Sequence, residues 1–442
     1  MRTRAIRYIL PLTSIVLVGL FACQDSVSVP EPIMPDTPEP SGYSGWLPVL
    51  FINTEQRQSI TSKDEYLSAQ WWLDNMSIEG YESIGSASEP LRMQIKGQGN
   101  YTWEKFPKKS YRLKLETKQM LMGMKKNRHF VLLAFYDDYL GCLKNTMAFE
   151  LSRHFGLAYT PAQEPVEVVL NGQYIGLYFL TEKIRVGKNR VNIIEQHEGE
   201  TDFSTIATGG WLLEIDNHPN DNCIKIAEHI GGTLPDDSLT ITYHSPEHLS
   251  PQQQQYLTDW ITRLNTAIYT PDKSSTEWEQ FIDIDSLAIY YIVGEIMDDI
   301  EYFSGSCYMY RQQGEGMKLI FGPVWDFGNA YHRWAIYQDI SFKYFLYEQP
   351  TVFTSHWIEE ITRFPHFQQV IREQWRKLYA SEFNGLDIDR FADEFVEHIK
   401  PAVNADYVLW PKYDIEVQKN DFKLFIHRKI NWLNDQWGEP ED

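Results

Sequence analysis

The chain has 442 residues, enough to bury a large core and ordinarily to form two or three domains or lobes. Hydrophobic residues make up 43% of it and aromatic residues 14%, which indicates a folded protein rich in aromatic packing. The formal net charge of -21 argues against nucleic acid and anionic membrane surfaces as partners, because a phosphate-bearing partner requires a basic protein surface.

The N-terminus carries a processing signal. Three arginines precede an apolar run over residues 8–22, which is short for a membrane span of about 20 residues. The run ends in Leu-Phe-Ala-Cys, which resembles the lipobox of bacterial lipoproteins. This resemblance implies that residues 1–22 are removed and that Cys23 carries lipid on its sulfur. We then expect an exported, lipid-anchored protein of the cell envelope, on its periplasmic or outer surface. A plain secretory signal and a transmembrane anchor are the alternatives.

A proline-rich segment follows the cysteine. Residues 23–45 contain five prolines among Ser, Asp and Glu, which is typical of an extended tether. The folded domain is expected over residues 46–442. Within it, Cys142, Cys223 and Cys307 are an odd set at irregular spacing, so either one disulfide or three thiols would fit, and no zinc motif is present.

The first half of the domain is rich in strand signals. Short apolar or alternating runs over residues 47–52, 68–74 and 91–95 predict strands, and Asn171-Gly172 predicts a tight hairpin between residues 166–170 and 173–180. Residues 94–115, QIKGQGNYTWEKFPKKSYRLKL, alternate into a strand, break at a glycine loop and return as a strand. Such a loop lets backbone N–H groups approach phosphates, but for this loop taken alone a tight turn beside solvated lysines is the favoured interpretation.

The second half is mostly helical. Apolar periodicity predicts a helix over residues 144–155 and then helices over residues 252–268, 285–297, 354–363, 366–378, 389–400 and 421–437. The sequence therefore predicts an α+β protein, strand-rich over about 46–250 and helical over about 251–442. A small β-rich lobe and a large helical lobe would give this division.

The most informative stretch joins the helix at 285–297 to a short hairpin. The helix is followed by the acidic residues Asp298, Asp299 and Glu301, and the hairpin, with strands at 306–311 and 317–321, leads to Asp326 in an Asp-Phe-Gly sequence. A protein kinase presents its catalytic base and its metal-binding aspartate in this order. The alternative for Asp326 is a carboxylate that caps the following turn.

Four ordered blocks of the sequence resemble the CotH kinase family of atypical secreted kinases. They are KGQGNYTWEKFPKKSYRLKL, LNGQYIGLYFLTEK, GGWLLEID and GPVWDFG, and the resemblance extends over nearly the whole domain. It implies a kinase-like fold, ATP with Mg²⁺ or Mn²⁺, and phosphate transfer to serine on exported proteins. It also implies that Asp326 binds the metal and that Lys108 and Lys109, with Lys96, contact the phosphates. Glu182 would orient one of these lysines, unless it is simply a solvated residue past a strand end.

The loop before the hairpin departs from the kinase pattern. The base position falls near Glu301, whereas Asp298 and Asp299 precede it by two or three residues, and Ser306 occupies the place of the metal-binding asparagine. We expect Asp299 to act on the acceptor hydroxyl, with Asp298 and Glu301 as alternatives. The departures also leave open a catalytically weak or dead kinase-fold lipoprotein that binds a glycan or a protein. A hydrolase built on Glu214 and Asp216 is a third reading.

Overall fold

The computed structural model describes residues 42–136, 140, 142–227, 238–332, 340–348, 357–381, 383, 386–411 and 414–438. All of these residues belong to one compact unit. The predicted signal peptide, Cys23 and nearly all of the predicted tether lie outside the described residues, as does the start of the helix predicted over residues 354–363.

The N-terminal region is a closed barrel of seven strands. These are β1 Val49–Thr54, β2 Leu67–Asp74, β3 Leu91–Gln98, β4 Ser110–Gln119, β5 Asn127–Leu133, β6 Gln163–Leu170 and β7 Gln173–Glu182. Their order is β1-β2-β3-β4-β5-β7-β6, and a parallel pairing of β1 with β6 closes the barrel. Alternate side chains such as Trp71, Ile95 and Leu113 fill its interior, as the two-residue period of a strand requires.

Local turn chemistry explains the predicted hairpin. Asn171 and Gly172 have φ of 55° and 85°, the left-handed pair that a two-residue turn between β6 and β7 needs.

The predicted glycine loop is instead a strand end followed by a short helix. β3 runs through Gln98, and α1, Tyr101–Lys105, precedes β4. A Cβ atom on Gly97 would lie 2.5 Å from the ring of Trp103, so the glycine makes room for this tryptophan. Packing of Trp103 onto the strand therefore accounts for Gly97, and a phosphate is not needed to explain it.

A second, five-stranded sheet follows the barrel. Its strands are β8 Trp211–Ile215, β9 Cys223–Ala227, β10 Ser238–Ser245, β11 Cys307–Arg311 and β12 Ile320–Phe321, in the order β12-β11-β8-β10-β9. The predicted hairpin is confirmed, since Met309 pairs with Phe321 and Tyr310 with Ile320, although its return strand is only two residues long.

Eight helices lie in the described part of the chain. Besides α1 they are α2 Leu143–His154, α3 Pro251–Ile268, α4 Ile284–Met297, α5 Trp357–Ile361, α6 Pro365–Ser381, α7 Ile388–Leu409 and α8 Ile415–Trp437. Asp283 caps α4 by accepting a hydrogen bond from the amide of Ser286 at 2.8 Å. Ten of the 14 residues of α4 are buried, and the helix packs against α2, α6 and α8, which makes it the central element of the helical region.

The expected α+β class is thus confirmed, with a sheet-rich N-terminal region and a helical C-terminal region. No disulfide forms among the described residues, and Cys142, Cys223 and Cys307 are thiols. No helix in the described ranges is long and apolar enough to cross a membrane.

Candidate active site

The loop after α4 and the loop after β12 are joined by backbone contacts. α4 ends at Asp298, whose backbone is left-handed with φ of 49°. The next residue, Asp299, forms an isolated bridge with Ala330, and the amide of Tyr331 donates to the carbonyl of Asp298 at 3.1 Å. The acidic loop and the Asp-Phe-Gly segment predicted from sequence therefore meet in the folded protein.

Of the acids in these two loops, Asp299 is the buried one whose carboxyl group lies among the other candidate site residues. Its Oδ1 accepts a hydrogen bond from the amide of Glu301 at 3.0 Å, whereas its Oδ2 is buried without a hydrogen-bond partner among the described residues. Burial raises the pKa of Asp299 well above its ordinary value, and the charges of Glu301 and Asp326 raise it further. Opposed to them are the hydrogen bond from Glu301 and the charge of Lys144. An unpaired buried carboxylate oxygen is costly, so its retention points to a function.

Glu301 and Asp326 complete the acidic cluster. Glu301 is half-buried and accepts hydrogen bonds from the side-chain amides of Asn217, at 2.6 Å, and Asn329. Asp326 is exposed, has a left-handed backbone with φ of 63° and begins the 3-10 turn Phe327–Asn329. The structure thus brings together Asp299, Glu301 and Asp326, three of the acids that the sequence singled out.

Lys144 and Asn145, at the start of α2, also reach this cluster. Lys144 is buried and donates to the carbonyl of Gly328 at 2.6 Å, and its charge acts on Asp299. Asn145 accepts from the amide of Phe327 at 3.4 Å. Sequence reasoning treated this segment only as an amphipathic helix, because nothing in its pattern tells a buried lysine at a helix start from a solvated one.

Asp298 faces the helical core. It is fully buried, with Oδ1 at 3.2 Å from Nζ of Lys429 and Oδ2 accepting from the hydroxyl of Tyr344 at 2.8 Å. Ser306 lies directly before β11 with φ of 51°. Of the three candidate bases, Asp298 is therefore the one whose carboxylate is bound within the helical region, by Lys429 and Tyr344.

Lys108 lies between the barrel and α7. Its side chain is fully buried, and Nζ lies 2.7 Å from Oδ1 of Asp406 and 2.6 Å from the carbonyl of Leu177. The prediction that Lys108 contacts a phosphate is revised accordingly, because its ammonium holds α7 against β7.

Of the remaining residues predicted to bind the cofactor, Lys109 and Glu182 are bonded to other protein groups and Lys96 lies on the outer face of the barrel. Lys109 donates to the carbonyl of Trp103 at 2.5 Å, and Glu182 pairs with Arg190 at 2.6 Å and accepts from the hydroxyl of Tyr159 at 3.2 Å. Glu182 therefore binds an arginine, where we had expected it to orient a lysine. Lys96 instead lies on the outer face of the barrel, 4.7 Å from the ring centroid of Tyr66.

That outer face is strongly basic. Neighbouring strands place Lys96 opposite Arg112 and Lys114 opposite His129, and Lys183 follows at the end of β7. Burial lowers the pKa of Lys183 to about 7, and the charges of Arg112, Arg185 and Lys96 contribute to this lowering. Burial, together with the charges of nearby lysines and arginines, lowers the pKa of His129 to about 3. Cations held this close together create a binding potential for an anion. We call this face, with Lys96, Arg112, Lys114, Lys183 and Arg185, the basic wall.

The second sheet faces the basic wall with acidic groups. Tyr308 on β11 bonds to Glu214 on β8, and both Asp216 and Arg112 act electrostatically on this tyrosine. Glu214 also pairs with His244. Burial and the charge of Glu214 raise the pKa of Asp216. Asn217 follows Asp216 and binds Glu301, so the acidic groups of the second sheet are connected to the acidic cluster through this hydrogen bond.

The CotH kinase sequence profile matches residues 93–433, most of the chain. The protein belongs to the CotH kinase family. The match includes β3 to β12, the acidic cluster and all but the last residues of α8. A comparison with curated proteins gives no match.

Membership of the CotH kinase family implies a kinase-type function with use of a nucleotide and a metal in general. Within the described residues no group of three or more His, Cys, Asp or Glu side chains converges as a metal site.

Proposed function

We propose that the protein is an exported, ATP-dependent protein kinase of atypical kinase-like fold, which transfers phosphate to Ser or Thr hydroxyls of secreted or surface proteins. The observation that carries the proposal is the buried Oδ2 of Asp299, which has no hydrogen-bond partner among the described residues and belongs to a carboxyl group on which the charges of Asp326 and Lys144 act. Phosphoryl transfer needs little covalent chemistry beyond cations along the phosphates, a metal held by carboxylates and a positioned acceptor.

The metal would be held by Asp326 and Asp299. One carboxylate is exposed and the other has a buried oxygen without a partner, so an oxygen-seeking divalent cation such as Mg²⁺ or Mn²⁺ fits this donor set. A bound ion would supply positive charge that neutralises the phosphates, and beside that charge Asp299 would be ionised despite the burial that raises its pKa.

The phosphates of ATP would lie along the basic wall, with Lys96, Arg112 and Lys183 in the place first expected for Lys108 and Lys109. Lys96 and Arg112 are paired on β3 and β4, and Lys183 directly follows β7, so the closed barrel keeps their spacing fixed. Lys144 adds a cation whose charge acts on Asp299.

The acceptor hydroxyl would be oriented by Glu301. This carboxylate is half-buried and held by Asn217 and Asn329, whereas Asp299 is too deeply buried to touch a macromolecular substrate. In the transfer, the acceptor oxygen forms a bond to the γ-phosphorus as the bond to the ADP oxygen breaks, and Glu301 takes the hydroxyl proton.

Purified full-length protein with ATP and Mg²⁺ or Mn²⁺ tests the proposal. We expect a nucleotide- and metal-dependent rise in melting temperature and transfer of labelled phosphate to protein, including to itself. Asp326→Asn should abolish transfer while the melting temperature without ligand is unchanged, and Asp283→Asn, which keeps the α4 cap, should transfer normally. Full activity of Asp326→Asn would remove this residue from the mechanism.

A catalytically weak or dead kinase-fold protein that binds a glycan or a protein is the second candidate. It is favoured by Ser306 in the place of a metal-binding asparagine and by the absence of three converging metal ligands in the described residues. Nucleotide binding without any transfer in the same assay would support this candidate and overturn the first. We further propose that either activity is anchored to the cell envelope through lipid on Cys23.

A further inference from the structure

A single buried lysine of the last helix faces two carboxylates of the central helix. Lys429 on α8 is 0% exposed, and its Nζ lies 3.2 Å from Oε2 of Glu295 and 3.2 Å from Oδ1 of Asp298. The same ammonium donates to the carbonyl of Tyr344 at 2.6 Å. Helix α8 is thereby joined to the C-terminal end of α4, directly before the acidic loop. We call Lys429, Glu295, Asp298 and Tyr344 the clamp.

The clamp is not explained by stability. One ammonium is buried with two carboxylates, and burial raises the pKa of Glu295 although Lys429 opposes the rise. Buried ion pairs of this kind often contribute nothing to folding compared with apolar side chains of the same volume. Asp298 in addition has φ of 49°, a left-handed backbone that is unfavourable for residues with a side chain. Costly geometry of this sort tends to be kept at functional sites.

The clamp fixes the position of the acidic loop that follows α4 in the candidate active site. The carbonyl of Asp298 accepts from the amide of Tyr331, and the hydroxyl of Tyr331 donates to the carbonyl of Ile296 at 2.7 Å. Asp299 follows immediately and its carboxylate receives the amide of Glu301. The side chain of Asp298 is therefore held from α8 while its backbone holds both loops of the acidic cluster.

We infer that Lys429 is a positioning residue for phosphoryl transfer. Acting through Asp298, Lys429 fixes the course of the chain after α4 and so the positions of Asp299 and Glu301. The C-terminal helix α8 thereby supports the active site without contacting the substrate. This inference rests on the proposed kinase function.

Asp298→Asn is the most informative variant. Asparagine keeps the shape of the side chain and tolerates a left-handed backbone, and its neutral amide leaves Lys429 with one carboxylate, Glu295. We expect folding to be retained with an equal or higher melting temperature. We also expect kcat to fall about 100-fold, the effect of a displacement of about 1 Å in a reacting group. The KM for ATP should stay unchanged, because the basic wall is not altered.

Two further variants complete the experiment. Asp283→Asn changes a carboxylate at the other end of α4 and should keep the kcat of the unmodified protein. The triple variant Glu295→Gln, Asp298→Asn and Lys429→Met removes all three buried charges and should fold yet show the same loss of kcat. Unchanged kcat in Asp298→Asn, or loss through KM alone, would overturn the inference while transfer by the unmodified protein upholds the proposed function. No transfer by the unmodified protein would overturn both.

Discussion

Left-handed residues with side chains surround the acidic cluster. Asp298, Ser306, Asp326 and Tyr331 have φ of 49°, 51°, 63° and 54°. Each such residue costs roughly 1–2 kcal/mol relative to a right-handed backbone, so this part of the chain is held in place by the surrounding packing. The acids are thereby presented at angles that an unstrained loop would not provide.

Ser306 offers a direct gain-of-function prediction. Ser306→Asn restores the side chain that kinases use at this position to bind metal, and asparagine accepts the left-handed backbone seen here. We expect the rate of phosphate transfer with Mg²⁺ to rise about tenfold, which is the low end of the effect that groups around a metal site have on activity. Initial rates of labelled transfer measure it. Ser274→Asn, in an exposed turn, should leave the rate unchanged, and equal rates for both variants would contradict a metal role at position 306.

Lys183 should affect nucleotide binding in a pH-dependent way. With its pKa lowered to about 7, its ammonium is present below pH 7 and is lost as the pH rises through that value. The affinity for ADP, measured by calorimetry between pH 6 and pH 8.5, should therefore fall more steeply with pH in the unmodified protein than in Lys183→Met. Parallel pH profiles would exclude Lys183 from the nucleotide site.

The same variant should be more stable than the unmodified protein. Between pH 7 and the ordinary pKa of lysine, Lys183 binds more protons in the unfolded chain than in the folded protein. Its ammonium therefore lowers the free energy of unfolding at neutral pH, and this destabilisation declines as the pH rises. Lys183→Met removes the destabilisation. Higher stability together with weaker binding is typical of a residue kept for function. A lower melting temperature of Lys183→Met at pH 7 would contradict this interpretation.

At the scale of elements, the Lys108 and Asp406 pair holds the barrel to α7. Lys108→Met would remove the ammonium that lies 2.7 Å from Oδ1 of the buried Asp406 carboxylate, while the amide of Leu177 would still donate to the same oxygen. We expect a loss of about 3–5 kcal/mol in the free energy of unfolding, measured by urea denaturation. Lys109→Met, which loses one hydrogen bond to a carbonyl, should cost about 1 kcal/mol. Unchanged stability with weakened ATP binding in Lys108→Met would restore the phosphate role.

Local signals in the sequence were sufficient for most elements. The Asn171-Gly172 turn, the capped start of α4 and the hairpin before Asp326 depend on neighbouring residues, and all three are present. Segments whose structure depends on distant contacts were described less well. The helix predicted over residues 389–400 continues to Leu409, past Pro401, and the expected glycine loop is largely the end of β3, with α1 after it.

Contacts between distant residues explain the revisions at the site. Lys108 and its partner Asp406 are 298 residues apart, so no local pattern could tell this buried lysine from a phosphate ligand. The basic wall was missed for a related reason. Lys96 and Arg112 lie on β3 and β4 and Lys183 follows β7, so these cations become neighbours only when β4, β5 and β7 pair in the folded sheet. The acidic cluster was found because its acids lie close together in the chain.

At the scale of the whole molecule, the lipid anchor is the outstanding prediction from sequence. Cys23→Ala should move the protein from the membrane fraction to the soluble fraction of cells, because the thiol that would carry the lipid is gone. Immunoblotting of the fractions measures this, with Cys223→Ala as a control that leaves the anchor intact. Continued membrane association of Cys23→Ala would contradict lipidation. The proposed transfer activity of the released protein should be unchanged, since the family match that contains the candidate site covers residues 93–433 and excludes Cys23.

The closed barrel also limits how a protein substrate can be bound. Because β1 pairs with β6, every barrel strand has a partner on both sides, and no row of backbone N–H and C=O groups is left open along the basic wall. A substrate cannot add itself to this sheet as an extra strand, which is the usual way of reading an extended peptide without regard to its side chains. Recognition of an acceptor along the basic wall must then depend on side chains, and among the described strands only β12 and β9, the edges of the five-stranded sheet, remain for strand addition.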